Sequence, residues 1–304
     1  MKSNLCLKIP KNEYPEYGQI SPVKTKHPTM LYWMDNSGNF LKTNKYSGSV
    51  YEKESLLREE KISKLFDGKS PSSYINIPSK IINWNNKLIV SQKEYNQGDF
   101  MDYILQGNSN LNSVIIFLKS IRNILPILDR NKIIYGDFAF ENFMVKLNKN
   151  NQLQKLVLVD FGQSVILNQN KTYHFNVENL VNIRPNYQSP DLFLNYKSRL
   201  IKGNELYDLL LKRDLFVIGI LTLNLLTNNE LWNKYTNIDD KIDDIIYIHQ
   251  KIKIKMSQDI NRNLKIVFKI ILSLFKFSLK DISNTLDLYN LIDMLGNSKK
   301  RKYS

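Results

Sequence analysis

The sequence predicts an α+β chain, with a small strand-rich N-terminal part and a larger, mainly helical remainder. Three observations carry that expectation. Short apolar or alternating runs bounded by turn residues occupy the first hundred positions, at 29–34, 39–45, 75–84 and 87–92. From Leu111 onward apolar residues recur at helical spacing, at 111–128, 214–227 and 246–294. Between these regions, residues 133–164 hold two more short alternating runs studded with acids and an amide.

In chain order, residues 1–21 are polar, hold Pro10 and Pro15, and read as an irregular arm. Asp35-Asn36-Ser37-Gly38 is a turn between the first two strands. Residues 51–66 change period, and Leu56, Leu57, Ile62, Leu65 and Phe66 are expected to form the buried stripe of a helix. Residues 93–100 connect the two parts. Residues 111–128 read as a buried helix, with Val114, Ile115, Leu118, Ile121, Ile124 and Leu125 on one face. Residues 143–147 and 155–159 alternate as a hairpin around Lys149-Asn150-Asn151. Asp160 follows at the strand end, before a glycine expected to let the backbone turn sharply. Residues 163–182 show no clear period.

Composition narrows the function classes. A chain of 304 residues, 42% hydrophobic, can bury a large core in one two-lobed domain or two smaller ones. The net charge of +14 favours acidic partners, such as acidic or phosphorylated protein substrates, and leaves nucleic acid or an anionic membrane open. Ordinary solubility of a Lys-, Asn- and Ile-rich chain explains the charge equally well. Cys6 is the single cysteine, which excludes an internal disulfide, and three scattered histidines exclude a Cys/His zinc cluster. No signal-peptide core and no apolar run of membrane-spanning length is read, so an intracellular, cytoplasmic protein is expected. The tail Lys299-Lys300-Arg301-Lys302 reads as a solvated basic end or a nuclear-import signal.

The chemistry concentrates at Asp137, Asn142 and Asp160. The hairpin is expected to bring these two carboxylates and one amide together. Hard oxygen ligands at that density suit Mg²⁺ holding phosphates, with one carboxylate left to orient a hydroxyl. The segments Tyr135-Gly136-Asp137-Phe138-Ala139-Phe140-Glu141-Asn142 and Asp160-Phe161-Gly162 resemble the catalytic loop and metal motif of the protein kinase family. Residues 183–191 resemble that family's Gly-Thr-Pro-x-Tyr-x-Ala-Pro-Glu segment, and 214–227 its central large-lobe helix, with an Asp at the start and an internal Gly.

The resemblance implies a two-lobed kinase-like fold spanning 29–295, with a small β-rich N-lobe to about 95 and a helical C-lobe from about 96. An arm (1–28) precedes it and a basic tail (296–304) follows. It implies ATP and Mg²⁺ as cofactors and transfer to Ser/Thr hydroxyls of protein substrates. Asp137 would be the base, and Asn142 and Asp160 the metal ligands. Lys42 would grip the phosphates, paired with Glu59, with Glu54 and Glu60 as competitors. Gly18 would be the sole glycine of the phosphate loop, and Glu94 and Tyr95 the hinge positions for adenine.

Four departures stand out. Gly136 replaces the arginine that pairs with a phosphorylated activation segment, so phosphate on Ser164, Thr172 or Tyr173 would lack that partner. Ala139 replaces the catalytic-loop lysine, Glu141 stands where tyrosine kinases place an arginine, and Arg184 is the candidate to supply the missing charge. The phosphate loop is poor in glycine, which keeps a pseudokinase scaffold in view. Asn284 occupies the approximate place of the arginine expected opposite Asp191. A small-molecule phosphotransferase of the aminoglycoside- or choline-kinase kind is a further alternative, because Tyr-Gly-Asp resembles its His-Gly-Asp. Lys197, Arg199, Lys202, Lys212 and Arg213 are expected to form a basic surface element. Oligomeric state is not legible.

Overall fold

The computed structural model describes residues 21–22, 30–34, 39–44, 50–84, 87–93, 97–175, 199–227, 250–252, 254–255, 257–258, 260–275 and 285–295. The chain divides into two compact units, Met1–Asn96 with Leu158–Ser164, and Gln97–Val157 with Val165–Ser304.

Among the described residues the first unit holds an antiparallel five-stranded sheet and one helix. Strands β1 (Ser21–Pro22), β2 (Met30–Met34), β3 (Asn39–Asn44), β4 (Lys80–Trp84) and β5 (Lys87–Lys93) run in the order β1-β2-β3-β5-β4. Helix α1 (Val50–Leu65) follows β3 and seats Leu56 against Val90, with Ile81 and Leu88 beside them. Its buried face differs from the expected stripe. Leu56 and Ile62 are sealed, but Leu57 and Leu65 are exposed, and the helix instead buries Ser55, Glu59 and Ser63. The expected strand at 75–84 begins only at Lys80. Ile75 and Ile77 before it are core residues, and this segment ties to Leu158 through Asn76 N–H to Leu158 O and Leu158 N–H to Tyr74 O, both 2.9 Å.

The second unit is mainly helical. Helix α2 (Phe100–Tyr103) is capped by Asp99 and runs into a single π-helical turn, Ile104–Asn108. Helix α3 (Leu111–Arg130) is capped by Asn110, whose Oδ1 accepts from Ser113 N–H at 3.1 Å. By length and composition α3 is apolar enough to cross a membrane, contrary to the expectation from the sequence. Its face of Val114, Phe117, Leu118, Ile121 and Ile124 is fully buried, as a core helix requires. Strand β6 (Ile133–Ile134) follows, then the hairpin β7 (Phe143–Leu147) and β8 (Leu153–Leu158). Asn151, in the left-handed region at φ +57°, makes its turn.

The aperiodic stretch after Gly162 holds two short strands, β9 (Val165–Ile166), paired with β6, and β10 (Thr172–Phe175), paired with β11 (Arg199–Lys202). The central helix α4 (Gly203–Thr227) starts well before Asp214, which is an interior residue and not the helix start. Leu206, Leu209 and Leu210 of that extension pack with Ile134, Leu167 and Ile201. Gly219 lets α5 (Arg262–Leu274) approach, since a Cβ there would lie 3.0 Å from Leu274 Cβ. Helix α6 (Thr285–Asp293) completes the unit, with Arg122 of α3 stacked over the Tyr289 ring at 4.4 Å.

Candidate active site

In the first unit the sheet and helix converge on one buried cation. Lys42, in the middle of β3, is 6% exposed. Its Nζ donates to Glu59 Oε1 at 2.6 Å and to Asp160 Oδ1 at 2.9 Å. The competing glutamates are engaged elsewhere on α1: Glu54 with Arg58 at 3.2 Å, and Glu60 with Lys64 at 2.7 Å. Glu59 is almost sealed from solvent, and burial raises its pKa to about 7 despite the ammonium beside it. For Asp160 burial pulls the same way, but its side chain is partly exposed. The Lys42 charge and hydrogen bond, a bond with Glu59 and the Gly162 amide overcome it and bring the pKa to about 2. The proton therefore resides on Glu59 before Asp160, which stays an anion with hard oxygen donors.

The turn after β8 differs from the simple glycine hinge read in the sequence. Asp160 itself takes the left-handed conformation, at φ +55°, a region Asp tolerates better than most side chains. Gly162 has no positive φ, and its small size serves a close approach: a Cβ there would sit 2.1 Å from Ser55 Oγ of α1. Arg58 Nη1 donates to Gly162 O at 3.2 Å, a second tie between α1 and this turn. Sequence reasoning missed Ser55 and Arg58; their place beside Glu59 on the helix was the only available hint.

In the second unit Asp137 and Asn142 form the other group. Asn142 closes a single 3₁₀ turn, Phe140–Asn142, and its Nδ2 donates to Asp137 O at 2.7 Å and to Asp137 Oδ2 at 2.9 Å. The amide hydrogens being spent on Asp137, the Oδ1 of Asn142 is the atom suited to a cation. Phe140 packs edge-on against Phe100 and Phe117, centroids 5.5 and 6.0 Å apart, which fixes the turn to the core. On the other side, Asp214 Oδ2 accepts from Tyr135 N–H at 3.0 Å and Gly136 N–H at 3.2 Å. Gly136 lies at φ +87°, where a residue without Cβ is favoured.

The 248-residue stretch 40–287 matches the protein kinase domain family. The chain belongs to the protein kinase family. No curated protein matches it. The kinase domain thus covers both groups of residues, and phosphoryl transfer is the family's chemistry. Lys42, Glu59 and Asp160 are joined to one another in the first unit, and Asp137 and Asn142 in the second. Gly18, Glu94, Tyr95 and Arg184 lie outside the described residues, as do Asn284, Lys197, the 183–191 segment and the tail Lys299–Lys302. Arg213, expected on a basic surface, is 4% exposed.

The donor set fits the cofactors a kinase domain implies. Among the described residues no three His, Cys, Asp or Glu side chains cluster as a metal site. Mg²⁺ does not need one, because it takes one or two protein oxygens and completes its shell with waters and phosphates. Asp160, ionised in the first unit, and the Asn142 carbonyl, in the second, are each oxygen donors of the kind a hard divalent cation takes, and the Lys42 ammonium is of the kind that suits phosphate oxygens.

Proposed function

We propose that this chain is an ATP- and Mg²⁺-dependent kinase acting on serine or threonine hydroxyls of protein substrates. The observation that carries the reading is the buried Lys42 ammonium shared between Glu59 and Asp160. A cation sealed in a sheet and held at two acids is costly to build, and gripping a polyphosphate is a use that rewards it. In this reading Lys42 holds the α- and β-phosphates, while Asp160 and Asn142 are the metal ligands. Mg²⁺-ATP supplies the phosphoryl group and offsets its charge. Asp137 accepts a hydrogen bond from the substrate hydroxyl at Oδ1 or Oδ2 and takes its proton. Asn142 keeps the Asp137 carboxylate in place through the 2.9 Å bond. Gly18, Glu94 and Tyr95 are proposed for phosphate-loop and adenine contacts, and Arg184 for the charge that Ala139 lacks. The kinase-like domain is taken as 29–295, with an arm before it and a basic tail after it, and a cytoplasmic location with nuclear import through the tail is part of the same proposal.

The test is Mg²⁺-ATP thermal shift followed by radiolabelled phosphate transfer to generic acidic and basic proteins. Transfer by the parent, lowered about 10²–10⁴-fold by Asp137→Asn with nucleotide binding retained, supports the reading. Binding without transfer points to a scaffold, and transfer only to small hydroxylated compounds points to a small-molecule phosphotransferase.

A further inference from the structure

Helix α4 buries a second charge, Arg213, directly before Asp214, and the chemistry above does not use it. The two side chains are 5% and 4% exposed, and Arg213 Nη2 donates to Asp214 Oδ1 at 2.9 Å. The carboxylate is therefore divided. One oxygen faces the guanidinium, and the other accepts the amides of Tyr135 and Gly136, the two residues that lead into Asp137.

The guanidinium is an expensive choice at this position. Among the described residues its Nε is buried without a hydrogen-bond partner, and a buried donor left unsatisfied loses its hydration with nothing in return. Leu209, Leu210, Phe216 and Val217 around it in the helix are all buried apolar residues, so an aliphatic side chain would suit the packing. What arginine adds is charge. A carboxylate buried alone is driven toward its neutral form, and a protonated Asp is a weaker acceptor for backbone amides. Burial does push the Asp214 pKa up, while Arg213 and the two amides pull it back.

We propose that Arg213 is a positioning residue: paired with one oxygen of Asp214, it keeps that side chain an anionic acceptor for the Tyr135 and Gly136 amides and so fixes the backbone from which Asp137 projects. The catalytic half of this proposal rests on the reading of Asp137 as the base. The structural half does not, and is tested separately.

The experiment is amide hydrogen exchange on the full chain, read at Tyr135 and Gly136, alongside steady-state kinetics. Arg213→Met is expected to speed exchange at these two amides at least tenfold relative to Val145 N–H, which bonds Gly98 O elsewhere in the unit. It should lower kcat at least tenfold with the KM for ATP within twofold. Arg213→Lys should retain most of the protection. In an Asp214→Asn background the charge to be held is gone, so adding Arg213→Met should change exchange less than threefold. Should Arg213→Met not fold alone, Arg213→Gln, neutral and of similar reach, takes its place in the same cycle. Unchanged protection in the single variant, or an equal effect in both backgrounds, overturns the proposal, since packing alone would act without regard to Asp214. A parent that transfers no phosphate refutes the proposed function instead and leaves the exchange cycle to decide the role of Arg213.

Discussion

Gly162→Ala tests how tightly α1 and the metal-motif turn are joined. The new Cβ would lie 2.1 Å from Ser55 Oγ, 3.1 Å from Asp160 Oδ1 and 3.3 Å from Ser55 Cβ. Comfortable contact begins at about 3.5 Å, so the shortfall to Oγ exceeds ~1 Å. Gly162 has no positive φ, so alanine brings no backbone strain and the effect is steric alone. Ser55 is buried one helical turn before Glu59. If the helix yields, the displacement is passed to the 2.6 Å Lys42–Glu59 contact and the 3.2 Å Arg58–Gly162 bond. A misplacement of about 1 Å costs on the order of 10² in rate, and overpacking costs about 1–3 kcal/mol of stability. The assay is initial-rate phosphate transfer with a thermal melt of each variant. Adding Ser55→Ala removes Oγ and leaves the 3.3 Å contact as the nearest on that residue, so the double variant should recover to within about threefold of the parent. A Gly162→Ala protein as fast and as stable as the parent refutes the reasoning, as does a double variant no faster than the single one.

Lys42→Met should abolish nucleotide-induced thermal stabilisation while leaving two acids, Glu59 and Asp160, without their shared cation; full retention of the shift would argue against the phosphate-gripping role. Stability of the nucleotide-free protein should fall as pH rises from 4.5 through about 7, because folded Glu59 holds a proton that the unfolded chain has already released. The displacement corresponds to at most about 3 kcal/mol, and urea unfolding of the parent and Glu59→Gln at pH 5, 6 and 7.5 should show the slope only in the parent. Ser120→Ala removes a hydroxyl that accepts from Leu156 N–H at 3.0 Å inside the core. It should cost about 1–3 kcal/mol in urea unfolding; an unchanged midpoint would mean the amide finds another partner. Phosphatase treatment should leave the transfer rate unaltered, since Ser164 is 2% exposed and Gly136 stands where the phosphate-pairing arginine would be.

The order of strands and helices was legible because their patterns are local. Two or three apolar turns of helix, or alternation over five residues, are visible in the residues that fold together. The short strands β9, β10 and β11 were not, because each is two to four residues long and takes its partner from a distant stretch: Thr172 faces Lys202, and Ile134 faces Val165. The start of α4 was misplaced for a different reason. Asp214 resembles a helix-opening acid, yet Leu206, Leu209 and Leu210 upstream already carry the helical spacing and could have revealed the extension. Lys42 and Glu59 could be proposed only through the family resemblance, and choosing among Glu54, Glu59 and Glu60 needed the rotation of α1 about its axis.

That rotation explains why the hydrophobic stripe misled. A helix normally turns its most apolar side inward. In α1 the inward side carries Ser55, Glu59 and Ser63 beside Leu56 and Ile62, and Leu57 and Leu65 are left to solvent. Each inward polar group has a specific reason to be there: Ser55 is small enough for Gly162 to approach, Glu59 meets Lys42, and Ser63 donates to Pro78 O at 2.7 Å. Turning the helix to bury Leu57 would move Glu59 off the buried ammonium, and an unpartnered buried lysine costs more than two exposed leucines regain. The orientation of α1 is thus set by the charge on β3, and a pattern of hydrophobicity alone has no means of recording it.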